Sequence, residues 1–125
     1  LPYWHAPENG NDFGLGVLAS ANHFMAIDFV DSYPAPGSIA ATTNRPRILV
    51  VRCTLRNGNS FLFCVNHWKS KFTKSANTSR QERDPGDTDR EASGIWLREK
   101  IEADPDECYV LVGDFNAEPY EDSLG

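Results

Sequence analysis

Apolar residues fall into short runs separated by polar stretches rich in Gly, Pro and Asn, and the runs follow the spacings of strand and helix. Phe13–Ala19 and Phe24–Val30 read as two short strands joined by a turn at Ser20-Ala21-Asn22-His23. The first dozen residues, and the segment from Asp31 to Arg47 with Pro34, Pro36, Gly37 and Pro46, read as irregular chain. Arg47–Leu55 and Ser60–Val65 are rich in Ile, Leu, Val and Phe and flank Arg56-Asn57-Gly58-Asn59. Asn-Gly supplies the positive φ angles of a tight turn, so this pair is expected to be an antiparallel hairpin. Its apolar runs are nearly unbroken, which implies that both faces of the sheet are covered.

Phe72 to Asp89 is polar and reads as a long surface loop. A helix should follow, opened by a capping box at Thr88-Asp89-Arg90-Glu91 and stopped by Pro105. Trp96, Leu97 and Ile101 share one face of that helix and Ile95 falls off it. Tyr109–Val112 reads as a short buried strand, with Gly113-Asp114-Phe115-Asn116 directly behind it. Strands, hairpin, loop, helix and strand in that order predict an α/β fold with helices packed on a mixed sheet.

Length and composition narrow this picture. A chain of 125 residues with 40% hydrophobic residues suits one domain with a real core. No apolar stretch approaches the roughly 18 residues of a membrane span. The formal net charge of -6 argues against a broad basic face for nucleic acid, though not against local capture of a phosphate. Cys53, Cys64 and Cys108 are too few and too widely spaced for a disulfide framework or a zinc site. They read as buried thiols, with a Cys53–Cys64 bridge left open, so the compartment, secreted or cytoplasmic, is open too. Oligomeric state is likewise unread.

Two polar clusters follow apolar strands: Asn66-His67-Trp68-Lys69-Ser70-Lys71, and Gly113-Asp114-Phe115-Asn116. Ligands of α/β sheets bind beyond the carboxyl ends of strands. If the two strands are parallel neighbours, His67, Asp114 and Asn116 gather at one edge. Such a trio suits cleavage of a phosphate ester. An imidazolium at His67 donates to a phosphoryl oxygen, Asp114 orients or deprotonates a water, and Asn116 positions the nucleophile or the phosphate. Asp114 and Asn116 share a face of extended chain, and Phe115 points away into packing. The bland alternatives are a simple Gly/Asp/Asn turn, a structural histidine, solvated Lys69 and Lys71, an Arg45 that merely flanks a strand, and a Trp68 that packs rather than stacks on a base. Glu118, Glu121 and Asp122 read as surface charges, and His5 as incidental.

Val110-Leu111-Val112-Gly113-Asp114-Phe115-Asn116-Ala117-Glu118-Pro119 resembles the Gly-Asp-Phe-Asn signature of the endonuclease/exonuclease/phosphatase superfamily. Asn66-His67-Trp68-Lys69-Ser70 resembles that family's Asn-His strand end in its nuclease-like bacterial branch, and Arg45-Pro46 and Arg90 fit in order and spacing. The resemblance implies part of a four-layered α/β sandwich (DNase I-like) with a mixed, mostly antiparallel sheet. It implies a phosphodiesterase or phosphatase using Mg²⁺ or Mn²⁺, most simply a DNA nuclease, with inositol or lipid phosphatases and sphingomyelinase-like phosphodiesterases as alternatives. His67, Asp114 and Asn116 would be catalytic, Asp114 a metal ligand, and Arg45, Asn66 and Lys69 phosphate contacts. The family's metal-binding Asn and Glu, and its Ser-Asp-His, have no counterpart here. Residues 1–125 therefore resemble the middle of one domain, expected to have little activity alone and to self-associate through uncovered sheet edges. A non-catalytic binding domain is the reading from outside enzymology.

Overall fold

The computed structural model describes residues 3–5, 14–35, 46–70 and 87–117. Two short strands, β1 (Tyr3–His5) and β2 (Gly16–Leu18), form an antiparallel ribbon. The main sheet holds β3 (Phe24–Tyr33), β4 (Ile48–Leu55), β5 (Ser60–His67) and β6 (Tyr109–Asp114), in that spatial order. Among the described residues one helix, α1 (Asp87–Ala103), stands between β5 and β6 in the chain.

β4 is the centre because its sequence is the most apolar and β-branched. Ile48, Leu49, Val50 and Val51 are all fully buried. Alternation divides them between two cores. Ile48 and Val50 join Leu62, Cys64, Trp68 and Leu97 on the face covered by α1. Leu49, Val51 and Cys53 form the opposite core, against which Leu15, Val17, Phe61, Phe63 and Val65 pack. Both faces of the hairpin are covered as expected, one by the helix and the other with help from the β2 segment. Cys53 and Cys64 lie in these different cores, so no bridge joins them, and all three cysteines are free. Cys108 departs from expectation: it is exposed, just ahead of β6.

The β4–β5 hairpin is antiparallel from Ile48↔Asn66 to Thr54↔Ser60. The Gly58 N–H donates to Leu55 O at 2.9 Å and the Leu55 N–H to Asn59 O at 2.8 Å. Of the turn residues only Gly58 has a positive φ, +90°. The loop is therefore the three-residue kind that ends on a Gly bulge, rather than a two-residue Asn-Gly turn.

In α1, Leu97 is buried, Trp96 and Ile101 pack beside it, and Ile95 is exposed. The helix ends at Ala103, two residues before Pro105, as a proline disfavours helical backbone in the residue it follows. Lys100 in the last turn ion-pairs with Asp31 and lies 5.6 Å from the Trp96 ring centroid, which suits the negative end of the helix dipole. The expected capping box is not formed. The helix already includes Asp87, so Thr88 and Glu91 lie inside it, and Asp89 and Glu91 place negative charge at the positive end.

Further boundaries differ from the sequence pattern: β2 is confined to Gly16–Leu18, and β5 runs two residues past Val65 to His67. Tyr3–His5 is a strand where irregular chain was expected, because it pairs with Gly16–Leu18. β3 runs on to Tyr33, three residues past Val30, since Asp31, Ser32 and Tyr33 continue the ladder with Val50, Leu49 and Ile48 after a register shift. β6 is longer than expected and not buried. Val110 and Leu111 are 37% and 40% exposed, because among the described residues only β5 pairs with it. Residues 71–86, which hold most of the expected long loop, lie outside the described residues, and its last part, 87–89, is helical.

The sheet is thus mixed. β4 runs antiparallel to both β3 and β5, and β6 runs parallel to β5 from Leu62↔Tyr109 to His67↔Asp114. A parallel neighbour requires a long crossover, and the chain between His67 and Tyr109, with α1 in it, provides one.

Candidate active site

The parallel pairing places two carboxyl strand ends side by side. Leu62, Cys64 and Asn66 of β5 face α1, so Phe61, Phe63, Val65 and His67 face the other way. Asp114 is the direct partner of His67 across the ladder, so the two side chains share that second face. Both are exposed. Paired strands stand about 4.8 Å apart, which puts imidazole and carboxylate within reach of one small group.

Behind this pair the chain is tied tightly. The His67 N–H donates to Arg47 O at 2.8 Å, anchoring β5 to the approach of β4. Trp68 then turns into the helix-side core, 1% exposed, and its backbone N–H donates to Asp114 O at 3.0 Å. Its Nε1–H donates to Asn66 Oδ1 at 3.0 Å. Its carbonyl accepts the Asn116 Nδ2–H at 2.9 Å. Phe115 sets its ring edge-on to the Trp68 indole, 5.1 Å between centroids at 83°. Phe115 thus packs inward as expected, and Trp68 is a packing residue, not a base-stacking one.

Gly113 and Asn116 bend the chain around Asp114. Gly113 has φ +120°, and a Cβ on it would stand 2.0 Å from the Asn66 carbonyl oxygen. Only Gly allows so close a strand approach. Asn116 has φ +50°, the left-handed region that Asn tolerates better than most residues. Its N–H is accepted by Asp114 Oδ1 at 2.9 Å, an Asx turn that holds one oxygen of the exposed carboxylate.

Asn66 is reassigned. Expected to contact phosphate, it is 2% exposed and faces α1. Its amide donates to Cys64 O at 3.0 Å and Val112 O at 3.1 Å, and its oxygen accepts from Trp68. Its polar atoms are committed to joining β5 to β6. Lys69 is exposed near the site, and its carbonyl accepts from Arg90 Nη1 at 3.2 Å. Arg90, 2% exposed in the first turn of α1, thereby anchors the chain leaving Trp68. Arg45 and Lys71 lie outside the described residues, as do Glu118, Glu121 and Asp122.

The structure therefore brings together His67, Asp114 and Asn116, and leaves Asn66 inside. The organising roles of Trp68 and Arg90 were not visible in the sequence. The one signal was an indole two residues beyond Asn66, which carries the alternation of Leu62, Cys64 and Asn66 one step further on the α1 face. As for a metal, no group of three His, Cys, Asp or Glu side chains converges among the described residues. Among the described residues Asp114 is the one carboxylate at these strand ends and could serve as a single ligand, which falls short of a metal cage. No described helix is long and apolar enough to cross a membrane. Compared with protein-family models, curated proteins and solved structures, the chain matches none.

Proposed function

We propose that this chain carries part of the active site of a phosphate-ester hydrolase, most simply a DNA-directed phosphodiesterase of the endonuclease/exonuclease/phosphatase type. The observation that carries the reading is the pairing of His67 with Asp114 on one exposed face, at the carboxyl ends of parallel strands. A ring N–H of His67 donates to a non-bridging phosphoryl oxygen and offsets its charge. The second oxygen of Asp114 accepts a hydrogen bond from the attacking water and takes its proton as the water oxygen bonds to phosphorus and the ester P–O bond breaks, the leaving alkoxide taking a proton from solvent. Asn116 has one N–H committed to Trp68, and its carbonyl oxygen and second N–H remain to orient water or phosphate. Lys69 adds a nearby positive charge, and Arg45 keeps the phosphate-binding role that its Arg-Pro context suggests.

Mg²⁺ or Mn²⁺ would belong to this reading by neutralising charge on the phosphate; Asp114 could give such an ion one ligand, and no group of three ligands converges among the described residues. The mixed sheet with a helix on one face supports the DNase I-like sandwich as the parent fold. The net charge of -6 favours a second reading, in which the substrate is a small phosphate ester, such as an inositol phosphate or a lipid headgroup, rather than a long nucleic acid.

The test replaces His67 or Asp114 by Ala in the longest natural reading frame that contains this chain. Hydrolysis of plasmid DNA, bis(p-nitrophenyl) phosphate and an inositol phosphate is then followed with Mg²⁺. Either replacement should lower kcat per folded molecule by about 100-fold or more on whichever substrate is turned over. Undiminished turnover in both variants would sink the assignment.

A further inference from the structure

We infer that Trp68 is a positioning residue: through Asn66 and its own backbone it sets where Asp114 and Asn116 stand relative to His67. Every polar group of Trp68 is used, and each goes to a residue of the site or its frame. The backbone N–H reaches Asp114 O, the indole N–H reaches Asn66 Oδ1, and the carbonyl accepts from Asn116 Nδ2. The indole is also the wall on which Phe115, between Asp114 and Asn116, rests edge-on.

The arrangement is a closed set of ties around one buried ring. Asn66 joins the carbonyls of Cys64 and Val112 across the β5–β6 seam, so it holds the strands at a fixed spacing while its oxygen holds the indole. The indole is 1% exposed and packs with Ile48, Val50, Leu62, Cys64 and Leu97, so its position is dictated by the helix-side core. The core thereby reaches the exposed Asp114 through two short paths. One is the Trp68 N–H to the Asp114 carbonyl. The other runs from the Trp68 carbonyl through the Asn116 amide, and on through the Asn116 N–H to the Asp114 carboxylate. No comparable tie reaches the Asp114 carboxylate from the outer side of β6, where no described strand pairs. Buried networks of this kind fix geometry when every member is satisfied and loosen it when one is removed.

The catalytic half of this inference rests on the hydrolase reading, and the structural half does not. The experiment is therefore read in two ways on Trp68→Phe, which keeps a ring in the core and removes the indole N–H. Amide hydrogen exchange on the purified full chain comes first. The position 68 amide should exchange about tenfold faster, while the amides of Val50 and Val51 stay as protected as before, the mark of local opening. Unchanged protection at position 68, or equal acceleration everywhere, overturns the inference. Asn66→Asp is the second variant. It keeps an acceptor for the indole and removes the two N–H donors, and it should loosen the same amide if Trp68→Phe fails to fold.

The second readout is turnover per folded molecule in the longest natural reading frame. Trp68→Phe should lower kcat about tenfold and leave KM within about twofold, and it should add little to His67→Ala or Asp114→Ala, because groups acting through one another are not additive. A Trp68 that matters only for stability would reduce the folded fraction and leave kcat per folded molecule unchanged, which also overturns the inference. If the unaltered protein turns over no phosphate ester, the hydrolase reading fails, and hydrogen exchange alone decides the positioning role.

Discussion

The two ends of β5 use the same local chemistry for different ends. At its start, Asn57 Oδ1 accepts the Asn59 N–H at 2.9 Å, and Gly58 takes a positive φ of +90°. Beyond its finish, on the neighbouring strand, Asp114 Oδ1 accepts the Asn116 N–H at 2.9 Å, and Gly113 takes a positive φ of +120°. The difference lies in what surrounds them. A Cβ on Gly58 would meet nothing within 4 Å, whereas one on Gly113 would collide with the Asn66 carbonyl. The first turn only reverses the chain, and although Arg56 ties it to Ala21 O at 2.6 Å, no neighbour depends on its Asn or Gly. The second is held by Trp68 and Asn66 and presents Asp114 beside His67. An Asx turn with a glycine therefore says that the chain bends, and only the tertiary ties behind it say that the bend is a site.

The sharpest way to break this comparison is to put the same methyl group on each glycine. Gly113→Ala forces the β5–β6 seam apart at Asn66, which is backbone and cannot swing away. We expect a loss of about 4 kcal/mol in urea denaturation, or failure to fold. Gly58→Ala meets only the conformational penalty of a positive φ, about 1 kcal/mol. Equal losses from the two substitutions would mean that the close approach of Gly113 to Asn66 is not what requires the glycine.

The next contrast concerns the asparagines. Asn116→Gly keeps the left-handed backbone available and removes only the side-chain bond to Trp68. It should cost about 1 kcal/mol, the worth of one partly buried hydrogen bond, and lower turnover if the hydrolase reading holds. Asn57→Gly removes an exposed turn bond and should change stability by less than about 0.5 kcal/mol. Paired urea titrations at one pH read both. An Asn57→Gly loss as large as that of Asn116→Gly would show that the tertiary tie contributes nothing beyond the turn.

How much of this was legible follows the same division. The β4–β5 hairpin, the apolar face of α1 and its stop before Pro105 could be read, because each follows from local pattern and turn chemistry. His67, Asp114 and Asn116 could be picked out as polar residues behind apolar strands, and the parallel pairing that unites them was a condition the structure meets. Asn66 could not be read correctly. Nothing local tells a buried amide bridging two strands from an exposed one awaiting a phosphate, since that depends on β6, some 46 residues further along the chain. The exposure of Val110, Leu111 and Cys108 was equally hidden, because an apolar run reads as buried whether or not a further strand covers it. β1 and the last residues of β3 were missed because their ladders come from distant partners and override weak local preference.

The smallest expected effect tests whether charge distinguishes the two ends. Arg52, in β4 near the hairpin turn, holds Glu107 in a two-pronged ion pair, at 2.6 Å and 3.3 Å, and also donates to Ser60 Oγ at 3.0 Å. The hydrogen bond from Arg52 holds the Glu107 carboxyl below its ordinary value of 4.5. A lowered folded-state pKa means that the folded form binds the proton less readily than the unfolded form. The stabilisation is thus fully present above the ordinary value and is lost as the pH falls through the lowered one. The pair is open to solvent and screened by salt, so the loss should be slight and smaller still in 1 M salt. In Glu107→Gln the acid limb of a urea-midpoint profile below pH 4.5 should be flatter than in the unaltered chain, while turnover, which depends on the other end of β5, stays the same. An unchanged acid limb would mean that the pair does not stabilise the folded chain. A change in turnover would mean instead that the hairpin end, for all its open space, is coupled to the pairing of His67 with Asp114.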